Sequence, residues 1–127
     1  MGAGSVAIRG ISSTRMGGSM KTFICGGFKY RYDHDDFDAL DRTRLEMPIS
    51  RVLIPKVPGA AGVGWHWALR RKIPYKIYEL RDGLPREAES LILFPGRNAY
   101  TDYILNQAAS RGLEIYDWTN VRQSGKP

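Results

Sequence analysis

A chain of 127 residues and 14.3 kDa, 43% hydrophobic and 25% charged, has the size and composition of one globular domain built on one core. No apolar run approaches the roughly 20 residues of a membrane span, which excludes one. The single cysteine excludes an internal disulfide framework and points to a reducing compartment, the cytoplasm, while one Cys with two His leaves an ordinary zinc site unexpected. The net charge of +6 and isoelectric point of about 9.7 are spread along the chain. Residues 1–19 hold Arg9 and Arg15 and no acid, which leaves 17 basic against 13 acidic groups. The densest cluster, Arg70-Arg71-Lys72, falls at the end of an expected helix, where cations favour the macrodipole. A nucleic-acid surface is therefore possible but not favoured, since it needs a basic stripe.

In chain order, residues 1–19 are rich in Gly and Ser without periodicity, and they read as a disordered segment or tag. They lack the apolar segment of a secretory signal; an organelle transit peptide shares their Arg/Ser composition. The domain is expected over 20–118, with a loose tail over 119–127. "KTFIC" (21–25), bounded by Gly26-Gly27, reads as a buried strand. Asp33 or Asp35 caps a helix with an acidic first turn that ends at Pro48; Phe37, Leu40 and Met47 share its apolar face, with Arg44 close to it. "SRVLI" (50–54) is a second strand and "GWHWALRRK" (64–72) a second helix, stopped by Pro74. "YKIYEL" (75–80) and "LILF" (91–94) are the third and fourth strands, joined by a short link with room for about one helical turn near 85–89. A helix follows over about 101–111, with Ile104, Leu105, Ala108 and Ala109 on one stripe and Gly112 as its left-handed stop. "LEIYDW" (113–118) closes the series. Apolar strands alternating with helices predict an α/β fold whose parallel sheet of about five strands is covered on both faces by three main helices.

In such a sheet ligands sit beyond the carboxyl ends of the strands, where strand order reverses. The strand ends carry Gly26-Gly27, "IPKVPGAAG" (54–62) and "FPGRN" (94–98). Glycine there lets backbone amides approach a phosphate, and a following helix N-terminus adds a favourable field. A reversal between the first and fourth strands would bring Gly26-Gly27 beside Pro95-Gly96 and form an anion pocket. The alternative is that Gly and Pro make tight turns only. None of these loops is a full G-x-G-x-x-G, and no resident cofactor is expected.

The three segments "FICGGFKYRYDHDDFDAL", "VLIPKVPGAAGVGWHWALRRKIPYKIYE" and "FPGRNAYTDYILNQAASRGLEIYDW" together resemble the SLOG superfamily, and within it the small Rossmann-like proteins related to YpsA and YspA. The resemblance implies a Rossmann-like three-layer fold and a pocket for a nucleotide or nucleotide-derived molecule. It places Gly26, Gly27 and Tyr30 on the first motif and Gly59, Ala60 and Trp67-Ala68 on the second. Phe94, Pro95 and Gly96 fall on the third, with Asp102 at the acidic position of the next helix. The chain departs from the pattern at Phe28 in place of Arg, at Pro55-Lys56 in place of a glycine pair, at Ala61 in place of Asp, and over "GRNAYT" (96–101), which lacks the later glycines. Lys56 or Arg97 would then be the phosphate partner, with Phe28, Asn98 and Thr101 completing the ligand-binding set.

The LOG branch of that superfamily hydrolyses the base–ribose bond of nucleoside monophosphates, chemistry that needs a carboxylate and a cation. Asp102 and Arg97 are the candidates, although an acid in a first helical turn also serves the dipole. His34 among Asp33, Asp35 and Asp36 reads as a solvated helix start rather than a metal site, His66 as a surface residue, and Cys25 as a buried thiol. Trp65 and Trp67 stand about 200° apart on a helix, so one faces the sheet. Trp67 is the core candidate, and Trp65 is left to solvent or to a homodimer interface. Three readings stay open: a ligand-binding domain without established catalysis, a LOG-like phosphoribohydrolase, and a nucleic-acid-binding module that would need Lys56, Arg70, Arg71 and Lys76 on one face.

Overall fold

Five strands and three α-helices alternate through residues 19–119, the part of the chain that this computed structural model describes. The expected segment 1–19 and tail 119–127 lie, but for their innermost residues, outside it. The elements are β1 (Met20–Cys25), α1 (His34–Glu46), β2 (Ile49–Pro55), α2 (Ala60–Arg71), β3 (Tyr75–Tyr78), β4 (Ser90–Leu93), α3 (Ala99–Ser110) and β5 (Glu114–Asp117). All neighbours pair in parallel, in the order β3-β2-β1-β4-β5. The strand order reverses at β1, which pairs with both β2 and β4. This is the α/β, Rossmann-like arrangement expected.

Side chains alternate between the two faces of each strand. Ile24, Val52, Ile54, Ile92 and Phe94 pack under α1 and α2 around Trp67. Phe23, Cys25, Leu53, Leu91 and Leu93 pack on the other face under Ile104 and Ala108 of α3. α1 begins where Asp33 accepts from the Asp35 N–H at 2.9 Å and Asp36 accepts from the Asp33 N–H at 3.0 Å, a reciprocal cap. Phe37, Leu40 and Met47 are buried as expected, while Arg44 turns to the Ile49 carbonyl at 3.0 Å.

α2 starts at Ala60, four residues before the expected Gly64. Its Gly62 and Gly64 lower helix propensity by about 1 kcal/mol each relative to alanine. Tertiary contact overrides that: a Cβ on Gly64 would stand 3.0 Å from the Ile24 Cβ, so glycine lets the helix lie directly on the sheet. The helical turn expected near 85–89 occurs earlier instead, as a 3-10 turn at Leu80–Asp82, because Glu79 and Asp82 cap each other's backbone and Gly83 stops the turn at φ 65. The link to β4 then covers the sheet without a helix. Leu84 and Ala88 enter the α3-side core. Its carbonyls are held by the Arg111 guanidinium, at 3.0 Å to Pro85 and 3.0 Å to Arg86, and Gln107 accepts from the Leu84 N–H at 2.9 Å. Gly112 ends α3 in the left-handed region at φ 69, as expected. Among the described residues no helix is long and apolar enough to cross a membrane.

Candidate functional site at the carboxyl edge of the sheet

The three glycine-bearing loops meet where the strand order reverses. The Phe94 N–H bonds the Cys25 carbonyl, the Gly27 N–H bonds the Pro95 carbonyl, and the Ala60 N–H at the start of α2 bonds the Gly27 carbonyl, each at 2.9 Å. The contacts are close enough to exclude a side chain. A Cβ on Gly27 would lie 2.7 Å from the Gly96 Cα, and one on Gly59 2.3 Å from the Gly27 carbonyl oxygen. Gly26 likewise abuts the Ala60 Cβ and the Phe94 carbonyl, both at 2.7 Å from such an atom. The expected convergence is therefore present, with one difference. Both polar groups of Gly27 are engaged by the neighbouring loops, so Gly27 packs into a floor between them rather than offering an open amide.

On the β4 side of that floor, Arg97 and Asp102 come together, with Nη2 at 2.8 Å and Nε at 3.0 Å from one carboxylate oxygen. Both side chains are half exposed, and the carboxylate holds the Arg97 guanidinium still more firmly protonated than usual. Asn98 and Thr101 cap α3 reciprocally, with Asn98 accepting from the Thr101 N–H and Thr101 from the Asn98 N–H, each at 2.8 Å. Phe28 lies against Tyr100, with ring centroids 5.9 Å apart. Tyr30 packs on Phe94 and donates to Asp36 at 2.8 Å, which ties the β1 loop to α1. Asn98, Thr101 and Tyr30 thus have structural work in this loop cluster. The Tyr100 hydroxyl is buried and has no hydrogen-bond partner among the described residues; burial raises its pKa.

On the β2 side lies a feature the sequence reading missed. α1 and α3 are closed by side-chain caps, whereas α2 has Gly59 at its N-cap, no side-chain cap and no acid in its first turn. The exposed Lys56 stands just before it. Here an apolar cleft of about 380 Å³ opens, lined by Lys56, Val57, Pro58, Ala61, Trp65 and Ile77 among others. The sequence signal was the unusual pairing of Trp65 with a Pro-Gly-rich helix entry, but the wall contributed by β3 follows only from the sheet order.

The remaining candidates fall as follows. Trp67 is fully buried and donates to Asp41 at 2.8 Å, while Trp65 is 38% exposed, as their angular separation requires. His66 is half-buried rather than a plain surface residue: it hydrogen-bonds Tyr32 through Nδ1 and stacks on Trp65 at 5.1 Å. His34 is exposed beside Phe37, but its neighbour Asp36 is fully buried in the α1 cap, so that helix start is only partly solvated. No group of three or more metal-binding side chains gathers among the described residues. Cys25 is fully buried, and burial pushes its thiol pKa up. The four basic residues do not share a face. Arg71 pairs with Asp41 at 2.6 Å and Arg70 lies over the Phe37 ring, both on the α1–α2 side. Lys76 registers with Leu53 on the α3 side and pairs with Glu87 at 3.9 Å, and Lys56 sits at the carboxyl edge. Comparisons with family models, curated proteins and solved structures give no match, so the resemblance to the SLOG superfamily rests on the quoted motifs alone.

Proposed function

We propose that this chain is a small-ligand-binding domain for a nucleotide or a nucleotide-derived molecule, held at the carboxyl edge of the sheet without established turnover, in the cytoplasm. The observation that carries the reading is the apolar cleft of about 380 Å³ at the carboxyl ends of β2 and β3, which opens beside Lys56 and the N-terminus of α2, a helix start with no side-chain cap whose Ala60 N–H is taken by the Gly27 carbonyl. A helix N-terminus and an ammonium favour a phosphate, and a cleft of this size with few polar groups suits a flat ring. The phosphate stands near Lys56 and Ala61, and the ring lies against Trp65. The glycine floor of Gly26, Gly27, Gly59 and Gly96 holds the loops that shape this site.

The test is a thermal-shift screen of the full chain against nucleoside mono- and diphosphates, cyclic nucleotides, NAD and ADP-ribose. A ligand at about 100 times its Kd stabilises by roughly 2.7 kcal/mol, a shift on the order of 10 °C for a domain of this size. Lys56→Ala should abolish the shift. A flat response across the panel refutes the reading.

The Arg97–Asp102 pair favours a second reading, a LOG-like phosphoribohydrolase of nucleoside monophosphates, with Asp102 stabilising charge on the sugar and Arg97 holding the phosphate. In that case Asp102→Asn removes base release while the thermal shift persists. Release that survives the substitution refutes it.

A further inference from the structure

The groups that line the cleft define the kind of molecule it accepts. Seven of its nine lining residues are aliphatic, proline or glycine, and only Lys56 and Trp65 carry a polar side-chain atom. Both atoms are donors, an ammonium and an indole N–H, and no lining side chain is an acceptor. The backbone of the loop over 55–58 has no donor left to add. Pro55 and Pro58 have no N–H, the Lys56 N–H is taken by the Tyr78 carbonyl at 2.8 Å, and the Val57 N–H by the Pro55 carbonyl at 2.9 Å. At the start of α2 the Gly62 N–H is likewise taken, by the Gly59 carbonyl at 2.9 Å.

A nucleobase is told from another by donors and acceptors set against its edge. This wall has almost none. What it offers instead is a fixed aromatic surface. The His66 ring stacks on the Trp65 indole at 5.1 Å, the Tyr75 ring meets it edge-on at 6.5 Å, and His66 is itself hydrogen-bonded to Tyr32. Stacking on such a ring tolerates any base, because every base has a π-face. Lys56 is the single cation among the lining residues, enough for one phosphate. The volume of about 380 Å³ is near the lower end for small-molecule sites, which suits one ring and one phosphate rather than a dinucleotide.

We infer that the cleft selects an aromatic ring carrying one phosphate and does not read the hydrogen-bonding edge of that ring. Nucleoside monophosphates then bind whatever their base, and a plain aryl phosphate is a ligand too. This names the ligand class of the site proposed above and rests on that reading of the cleft.

Isothermal titration calorimetry of the full chain with AMP, GMP, CMP, UMP, 1-naphthyl phosphate and NAD tests it. AMP and GMP share a ring size and differ in their edges, as do CMP and UMP. Within each pair the dissociation constants should agree to better than about tenfold, the factor that one unmatched buried hydrogen bond would add. 1-Naphthyl phosphate should bind as well, and NAD no more tightly than AMP. Lys56→Ala, an exposed position, should weaken the monophosphates and 1-naphthyl phosphate alike, by roughly tenfold. A preference of about tenfold or more within either pair, NAD binding tighter than AMP, or nucleotides binding where 1-naphthyl phosphate does not overturns this inference and leaves the nucleotide reading standing. Binding of 1-naphthyl phosphate without any nucleotide refutes the nucleotide reading and leaves the selection of ring and phosphate. No binding by any probe, or binding indifferent to Lys56→Ala, overturns both.

Discussion

Gly27→Ala isolates what the glycine floor does. The added methyl would meet the Gly96 Cα at 2.7 Å, the Pro95 carbonyl oxygen at 2.8 Å and the Gly96 carbonyl oxygen at 2.9 Å. All three are main-chain atoms of a loop pinned by the Gly27–Pro95 and Phe94–Cys25 hydrogen bonds, so no rotamer change relieves them. Overpacking of this kind costs about 3 kcal/mol, against a gain of about 0.5–1 kcal/mol from a less flexible unfolded chain, for a net loss of about 2–2.5 kcal/mol. Gly112→Ala is the control. Its methyl would meet nothing within 4 Å, but the residue sits at φ 69, so the left-handed penalty of about 1–2 kcal/mol less the same gain leaves about 0–1.5 kcal/mol. Urea denaturation of both variants and the parent, with m-values compared, separates the two causes. Unfolding free energies that differ by less than about 0.5 kcal/mol between the variants would refute the packing of the β1 and β4 loops on each other.

Three further outcomes are expected. Lys72 ends α2 at φ 56, a left-handed conformation without glycine, so Lys72→Gly should raise stability by about 0.5–1 kcal/mol in the same denaturation assay. Tyr100→Phe removes the buried hydroxyl that lacks a partner among the described residues and should stabilise by about 1 kcal/mol, read as a rise in Tm. Asp41 is held below the ordinary carboxylate range, chiefly by its hydrogen bond from Arg71 and then by the Trp67 indole. Because its folded pKa is depressed, its contribution is present above the unfolded value of about 3.9 and is lost as pH falls through the folded one. Asp41→Asn should therefore cost about 1 kcal/mol near neutral pH, the upper end for a partly exposed pair, and progressively less as pH falls below about 3.9, by urea denaturation across that pH range.

The strands were legible because each is a short apolar run between Gly, Pro or charged residues, and α1 and α3 because their caps and stripes are local. α2 was legible only from Gly64 onward. Gly62 reads as a loop residue until Tyr32 is known to lie against it, a contact between residues thirty apart in the chain. The same limit applied to the site. The meeting of Gly27 with Gly96 followed from the strand-order reversal, but the engagement of Gly27's own amide by Pro95 did not. The cleft under Trp65 and the Tyr32–His66 pair depend on which strand lies at the edge and on how α1 leans on α2. Asp36 shows a local failure: surrounded in sequence by charge, it is fully buried because it closes the helix cap.

Cys25, the only cysteine of the chain, lies on the central strand, paired on both sides and sealed under α3. It is the last residue of β1, beside the Gly26-Gly27 loop and under α3, so a thiol reagent reaches it only when the α3 side of the core opens. The chain therefore carries its own opening clock. Where reclosing outpaces the reagent, the rate of modification in native buffer reports the free energy of the opening that exposes Cys25, with no denaturant and no extrapolation, and substitutions that act on that opening can be ranked on one chemical signal.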